Sequence, residues 1–249
     1  MIRVREATKR YGETLAVDRV SFEIAAGEIV GFLGPNGSGK STLLRMLSTY
    51  LAPTSGELSV ANHDVVRDAL RARAAVGYLT EHNALYEDMR VERWLEFLGR
   101  ARGLSRTAID ERIGWVVERC ELATVLGRRI SQCSKGFRQR LGVAGALLHD
   151  PPVLLLDEPT HGLDPLQVAA FRDFVRELRA GRAILFSSHV LAEVAEISDR
   201  VLLLGRGRLR LDAPLRELRE RAEREDTTLE GLILGISAQA ERAPEETAA

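Results

Sequence analysis

Residues 31–42 read GFLGPNGSGKST, and the order of residue types in this stretch decides the fold. An apolar run, Ile29–Leu33, leads into a loop, and a helix-compatible segment, STLLRMLSTYL, begins at Ser41. Between them, Gly34 to Ser41 satisfies the spacing G-x-x-x-x-G-K-[ST] in the strand–loop–helix context that gives this spacing its meaning. Gly34, Gly37 and Gly39 let the backbone curl with its N–H groups turned inward, and the following helix adds the positive end of its dipole. An anion of phosphate type fits such a loop. On this reading Gly34, Pro35, Asn36, Gly37, Ser38, Gly39, Lys40, Ser41 and Thr42 form an ATP-binding loop. Lys40 bridges the β- and γ-phosphates, and Ser41 ligates Mg²⁺. The chain uses lysine only at Lys9, Lys40 and Lys135 among its 35 basic residues, so Lys40 stands where a compact point charge is wanted. A flexible glycine-rich turn would explain the glycines but neither the lysine nor the context.

Working outward, short β-branched runs precede the loop at Ile2–Val4 and Val20–Ile24, with turn residues at Gly12 and Ala26–Gly27. After the helix, APTSGE reads as a turn and VGYL at 76–79 as a strand. Val91 to Leu148 is mostly helical in pattern, broken near Gly103 and around Gly127–Gly136. Strands return at VLLLD (153–157), AILFS (183–187) and RVLLLG (200–205), with the amphipathic helix PLQVAAFRDFVRELRA between the first two. Continuous apolar strands alternating with helices predict a sheet that is at least partly parallel and covered on both faces. The expected class is α/β, with an N-terminal antiparallel β region and an inserted helical subdomain. The expected domain spans 1–235, with its α/β core at about 1–84 and 150–212 and the helical subdomain at about 85–149. The polar tail, 236–249, is expected to be disordered.

Composition limits the function. The 249 residues are 45% hydrophobic and 29% charged with a formal net charge of −1, so no overall field draws the chain to nucleic acid or an anionic membrane. Cys120 and Cys133 lack CxxC spacing and read as reduced thiols. No signal-peptide pattern opens the chain, and no apolar run reaches the roughly 20 residues that cross a bilayer. The protein is expected to be soluble, so a membrane role requires a partner.

A second element, VLLLDEP at 153–159, ends a buried strand in two adjacent acids, which are costly there without a task. Asp157 can hold Mg²⁺ through water, and Glu158 can take a proton from the attacking water. Taken with CSKGF at 133–137, these elements resemble the ATP-binding cassette (ABC) family, and the resemblance covers nearly the whole chain. The order of motifs is the family's: Tyr11, the phosphate loop, GYLTEH, CSKGF, LLLDEP, HGLDP, and His189 after a strand. The resemblance implies a P-loop NTPase core and a homodimer in which each ATP lies between the loop of one subunit and the signature of the other. It places Tyr11 on adenine, Ser134, Lys135 and Gly136 on the partner's γ-phosphate, and Asp164 at the dimer interface. It also places His189 on the γ-phosphate beside Glu158 as a catalytic pair, and Glu81 at the metal with Ser41 and Asp157. Two positions depart from the family pattern: the signature is CSKGF where LSGGQ is usual, and Glu81 stands where Gln is usual. Taken alone, Ser134 and Asp164 are also good helix N-caps.

The function implied is an ATP-hydrolysing subunit that powers a separate transmembrane transporter subunit. GYLTEHNALY resembles the bacterial ABC-2-type exporter branch, which implies export. Its expected place is cytoplasmic, peripheral on the inner face of the membrane, with ATP and Mg²⁺ as its cofactors and no nucleic-acid partner. Two other readings remain at this point: a non-transport ABC ATPase, and a nucleotide switch that hydrolyses weakly.

Overall fold

A hairpin opens the chain: β1 (Ile2–Tyr11) and β2 (Thr14–Ile24) turn through Gly12, whose φ of 55° a side-chain-bearing residue rarely adopts. The computed structural model describes residues 1–161 and 163–242. After the hairpin come β3 (Ile29–Leu33), α1 (Lys40–Leu47), β4 (Ser55–Val60), β5 (His63–Asp64), α2 (Ala69–Ala74) and β6 (Val76–Leu79). Three helices follow, α3 (Val91–Ala101), α4 (Arg106–Arg119) and α5 (Lys135–Leu147). The chain then runs through β7 (Val153–Asp157), α6 (Pro165–Leu178), β8 (Ala183–Ser188), α7 (Leu191–Ile197), β9 (Arg200–Gly205) and β10 (Arg208–Pro214). It closes with α8 (Leu215–Arg224) and α9 (Leu229–Arg242).

Two sheets organise these elements. The first is antiparallel, in the order β2-β1-β4-β5. The second runs β10-β9-β3-β8-β7-β6, and all its pairs are parallel except β10 with β9. Strand β3 is buried along its whole length, and its side chains alternate between two cores. Val30 and Phe32 join α1 and the antiparallel sheet, whereas Ile29 and Leu33 join the helices of the opposite face. This double burial explains why β3, β7 and β8 read as unbroken apolar runs. Helix α5 lies directly on β6, because a Cβ at Gly77 would stand 2.2 Å from the Ala146 carbonyl oxygen.

Several elements differ from the sequence reading. The helix expected to reach Leu51 stops at Leu47: Thr49 takes a φ of 63°, and the amides of Tyr50 and Leu51 both turn back to the Arg45 carbonyl. The segment read as a turn, APTSGE, runs into β4, where only Leu58 and Val60 are fully buried. β10 escapes notice because charged residues alternate along an edge strand. Residues 236–242, assigned to the disordered tail, continue α9. Leu232 and Ile233 anchor that helix in the core, and the alanines and Gln239 beyond them favour its propagation. The rest of the expected tail, 243–249, lies outside the described residues. Cys120 and Cys133 are free and buried. Among the described residues no helix is long and apolar enough to cross a membrane.

Candidate functional site

The loop after β3 is set by two close backbone approaches. Gly39 has a φ of 107°, and a Cβ there would lie 2.4 Å from the Ala16 carbonyl oxygen; one at Gly34 would lie 2.4 Å from that of Leu204. No larger residue fits either position without moving backbone. Gly39 also serves as N-cap of α1 without a side chain to cap it, which leaves the first amides of that helix to an anion. Lys40 begins the helix, is 6% exposed, and curls its ammonium over the loop: Nζ donates to the carbonyls of Gly34 at 2.5 Å and Pro35 at 3.2 Å. Burial lowers its pKa, and the facing charges of Glu158, Asp157 and Glu81 work in the opposite sense. The loop and all three acids therefore face one ammonium.

The acids are placed by sheet register. Asp157 pairs with Ser187 across β7 and β8. Ser187, fully buried, donates Oγ–H to Asp157 Oδ1 at 2.6 Å and accepts the Glu158 amide at 3.0 Å. Glu158 turns out of the strand with a φ of 48°, a conformation unfavourable for a residue with a side chain. Its carboxylate accepts from His189 Nδ1 at 2.9 Å, since a carboxylate has no proton to give. Lys40, Ser41, Thr42, Asn36, Glu81, Glu158 and His189 together line a cleft of about 480 Å³, whose lining also includes Ala16 and His161.

Oxygen donors dominate where a cation would sit. Ser41 and Glu81 face the cleft, and Asp157 approaches Lys40 from the strand end. These are hard ligands of the type Mg²⁺ takes, and this metal normally completes its octahedron with waters and substrate phosphates. Among the described residues no cluster of three or more His, Cys, Asp or Glu could hold a metal alone. The donor set fits a Mg²⁺ that arrives with a polyphosphate.

Other expected residues lie elsewhere. Tyr11 stands exposed at the hairpin end with Lys9 Nζ 5.4 Å from its ring centroid, and it does not line the cleft. Ser134 caps α5, accepting the Phe137 amide at 3.4 Å, and Lys135 is the first residue of that helix. A Cβ on Gly136 would lie 2.9 Å from Gln167 Nε2. Gln167 in turn forms a capping box with Asp164: Asp164 Oδ1 accepts the Gln167 amide at 3.0 Å, and Gln167 Oε1 accepts the Asp164 amide at 3.3 Å. Ser134, Lys135, Gly136 and Asp164 thus form a second locus outside the cleft. Cys133 and Phe137, where the signature departs from the family pattern, pack into or against the core.

Sequence reasoning missed Ser187, Thr160 and Glu193. Glu193 Oε2 accepts from Thr160 Oγ1 at 2.6 Å and Ser188 Oγ at 3.0 Å, tying the loop after Glu158 to the strand end before His189. Paired serines at the end of an otherwise apolar strand, AILFSS, were the available signal, because buried hydroxyls need partners.

The relatives identify the family. Residues 17–161 match the model of the ABC transporter family. The chain belongs to that family. It is 40% identical over 219 residues to the daunorubicin resistance ATP-binding protein DrrA3 of Streptomyces coeruleorubidus, covering 88% of this chain and 69% of the relative. It is 36% identical over 246 residues to the ABC transporter ATP-binding protein NatA of Bacillus subtilis, covering 95% and 100%. An ATP-binding cassette solved as a dimer in a post-hydrolysis state, bound to ADP and Pi, superposes with a TM-score of 0.79 at 25% identity, covering 87% of this chain and 99% of that one. As an ABC protein, the chain is an ATP-hydrolysing, nucleotide-binding subunit of a transporter.

Proposed function

We propose that the cleft over α1 hydrolyses ATP with Glu158 as general base, and that two copies of the chain close on nucleotide to drive a separate transmembrane subunit in export. The observation that carries the reading is the Glu158–His189 pair facing Lys40 across one cleft. In this reading the loop amides and Lys40 bind the β- and γ-phosphates, and Tyr11 offers its exposed ring to adenine. Ser41 and Asp157 would hold Mg²⁺, with Glu81 beside them; when bound, the ion neutralises phosphate charge. Glu158 accepts a proton from water as the water oxygen attacks the γ-phosphorus, and the bond to the β–γ bridging oxygen breaks to leave ADP and phosphate. His189 holds the carboxylate toward the attack line through its 2.9 Å hydrogen bond.

Ser134, Lys135 and Gly136 meet the γ-phosphate of the other copy, and Asp164 lies at the same interface. Closure performs work because ATP favours the joined state and its products do not. Export is supported by the GYLTEHNALY segment and by a relative named for drug resistance. The subunit then sits on the inner face of the membrane, held there by its partner.

The test is Glu158→Gln. It should retain ATP binding and lose about 10²–10⁴-fold in turnover, the usual worth of a general base. Turnover at the wild-type rate would remove Glu158 from this role. Steady-state wild-type ATPase activity separates this reading from a weakly hydrolysing switch.

A further inference from the structure

Gln139 is 9% exposed, and both ends of its amide are engaged. Nε2 donates to the Pro159 carbonyl at 2.6 Å, and Oε1 accepts from Asn83 Nδ2 at 3.0 Å. Pro159 directly follows Glu158, and Asn83 lies two residues after Glu81. Gln139 itself is on α5, one helical turn beyond Ser134. A single buried amide therefore ties the loops that carry two of the cleft's acids to the helix that begins at the signature.

The surroundings make this contact specific. Asn83 reaches Gln139 only because position 142 is glycine: a Cβ there would lie 2.5 Å from Asn83 Nδ2. On the other side a cleft of about 460 Å³, lined in part by Gln139, Val143, Leu163, Phe171 and Phe174, parts α5 from α6. The hydrogen bonds of the Gln139 amide thus lie at the edge of that cleft and join α5 to the segments after β6 and β7.

We propose that Gln139, with Asn83, is a positioning residue for hydrolysis. It registers the backbone after Glu158 against the loop bearing Glu81 and against the signature helix. The proposal rests on the reading of Glu158 as general base. A packing role would be satisfied by any side chain of the same shape, whereas a registering role depends on which end of the amide donates.

Gln139→Glu separates the two. It keeps the shape and the acceptor toward Asn83, but it sets an oxygen against the Pro159 carbonyl. A protonated carboxyl restores the missing donor, and burial beside a carbonyl oxygen raises the pKa of the introduced group. At about pH 8 the variant should bind ATP within about threefold of wild type while kcat falls about 10–100-fold, the scale of a 1 Å misplacement. The ratio of variant to wild-type kcat should climb at least about fivefold between about pH 8 and about pH 6, as the donor returns. Wild-type kcat in the variant, or a loss that does not respond to pH, overturns the proposal. Should Gln139→Glu fail to fold, as read by thermal unfolding, Asn83→Ala takes its place: lowered kcat with retained ATP affinity supports the proposal, and wild-type kcat overturns it. Glu158→Gln run alongside keeps the failures apart. If it still turns over, the base assignment falls; if it is inactive while Gln139→Glu is normal, only the Gln139 proposal falls.

Discussion

Ser187→Ala tests how the catalytic corner is held. The hydroxyl makes two bonds in a fully buried position, donating to Asp157 Oδ1 at 2.6 Å and accepting the Glu158 amide at 3.0 Å. Alanine leaves that amide without an acceptor, at about 1–3 kcal/mol, and removes a bond to a charged group worth about 1.5–3 kcal/mol. Both losses fall on one shared atom and relax together, so their sum is an upper bound, and about 2–4 kcal/mol is expected. At about 2–4 °C per kcal/mol for a chain of this size, the melting temperature should drop roughly 5–15 °C. The effect on chemistry is separate. Glu158 sits at a φ of 48°, and the Ser187 bond is one of the contacts that hold it there. Once released, its carboxylate leaves the attack line, and kcat should fall about 10–100-fold. ATP affinity, which resides in the loop and Lys40, should stay within a few-fold. Differential scanning calorimetry, steady-state ATPase kinetics and calorimetric ATP titration read the three quantities. A variant that melts within about 1 °C of wild type and turns over normally would refute the reasoning.

Two further outcomes are expected. Lys40→Ala should lose ATP affinity and Gly136→Asp should lose turnover, yet mixing the two should restore some ATPase, because one interface of the mixed dimer carries both lesions and the other neither; inactivity in verified heterodimers counts against a site shared between copies. His149 is held down to about 4 from 6.5 by burial first, then by Arg102, against its bond to the Val76 carbonyl. Its folded pKa lies below its unfolded one, so the unfolded chain takes the proton first and stability falls as pH drops from about 6.5 to about 4, by roughly 1–3 kcal/mol. Urea unfolding should show His149→Gln losing less stability than wild type over that window; parallel losses would refute the assignment.

The sequence made the centre of the fold legible for physical reasons that do not extend to its edges. β3, β7 and β8 are buried on both faces, so burial itself writes an unbroken apolar run into the chain. β4 and β10 carry polar residues on one side and at their ends, which leaves the pattern of a turn or a charged loop. The phosphate loop was legible because its glycines answer to backbone geometry and its lysine to charge, both fixed by position. Ser187, Glu193 and Gln139 act instead on Asp157, Thr160 and Asn83, each 30 or more positions away, and neither spacing nor periodicity records such contacts. Gln167 shows the same limit. It closes the capping box of α6, yet its amide also lies 2.9 Å from where a Cβ on Gly136 would stand.

That contact bears on what the signature is for. A helix N-terminus favours acidic residues that meet its dipole, but the first turn of α5 has none and begins with Lys135, as that of α4 has none and begins with Arg106. Ser134 satisfies one amide at the long distance of 3.4 Å and remains exposed. As a cap alone, this arrangement is poor, since placing a cation there costs about 0.3–1 kcal/mol against the dipole. As the receiver of a multiply charged anion from outside the chain, every departure acts in the right direction: the lysine adds attraction, the hydroxyl stays within reach, and Gly136 brings bare backbone to the surface. The same logic leaves α1 uncapped at Gly39. The first turns of α2 and α4 lack acids as well, so this shortage alone marks no site; in the proposed dimer each γ-phosphate would meet α1 of one copy and α5 of the other.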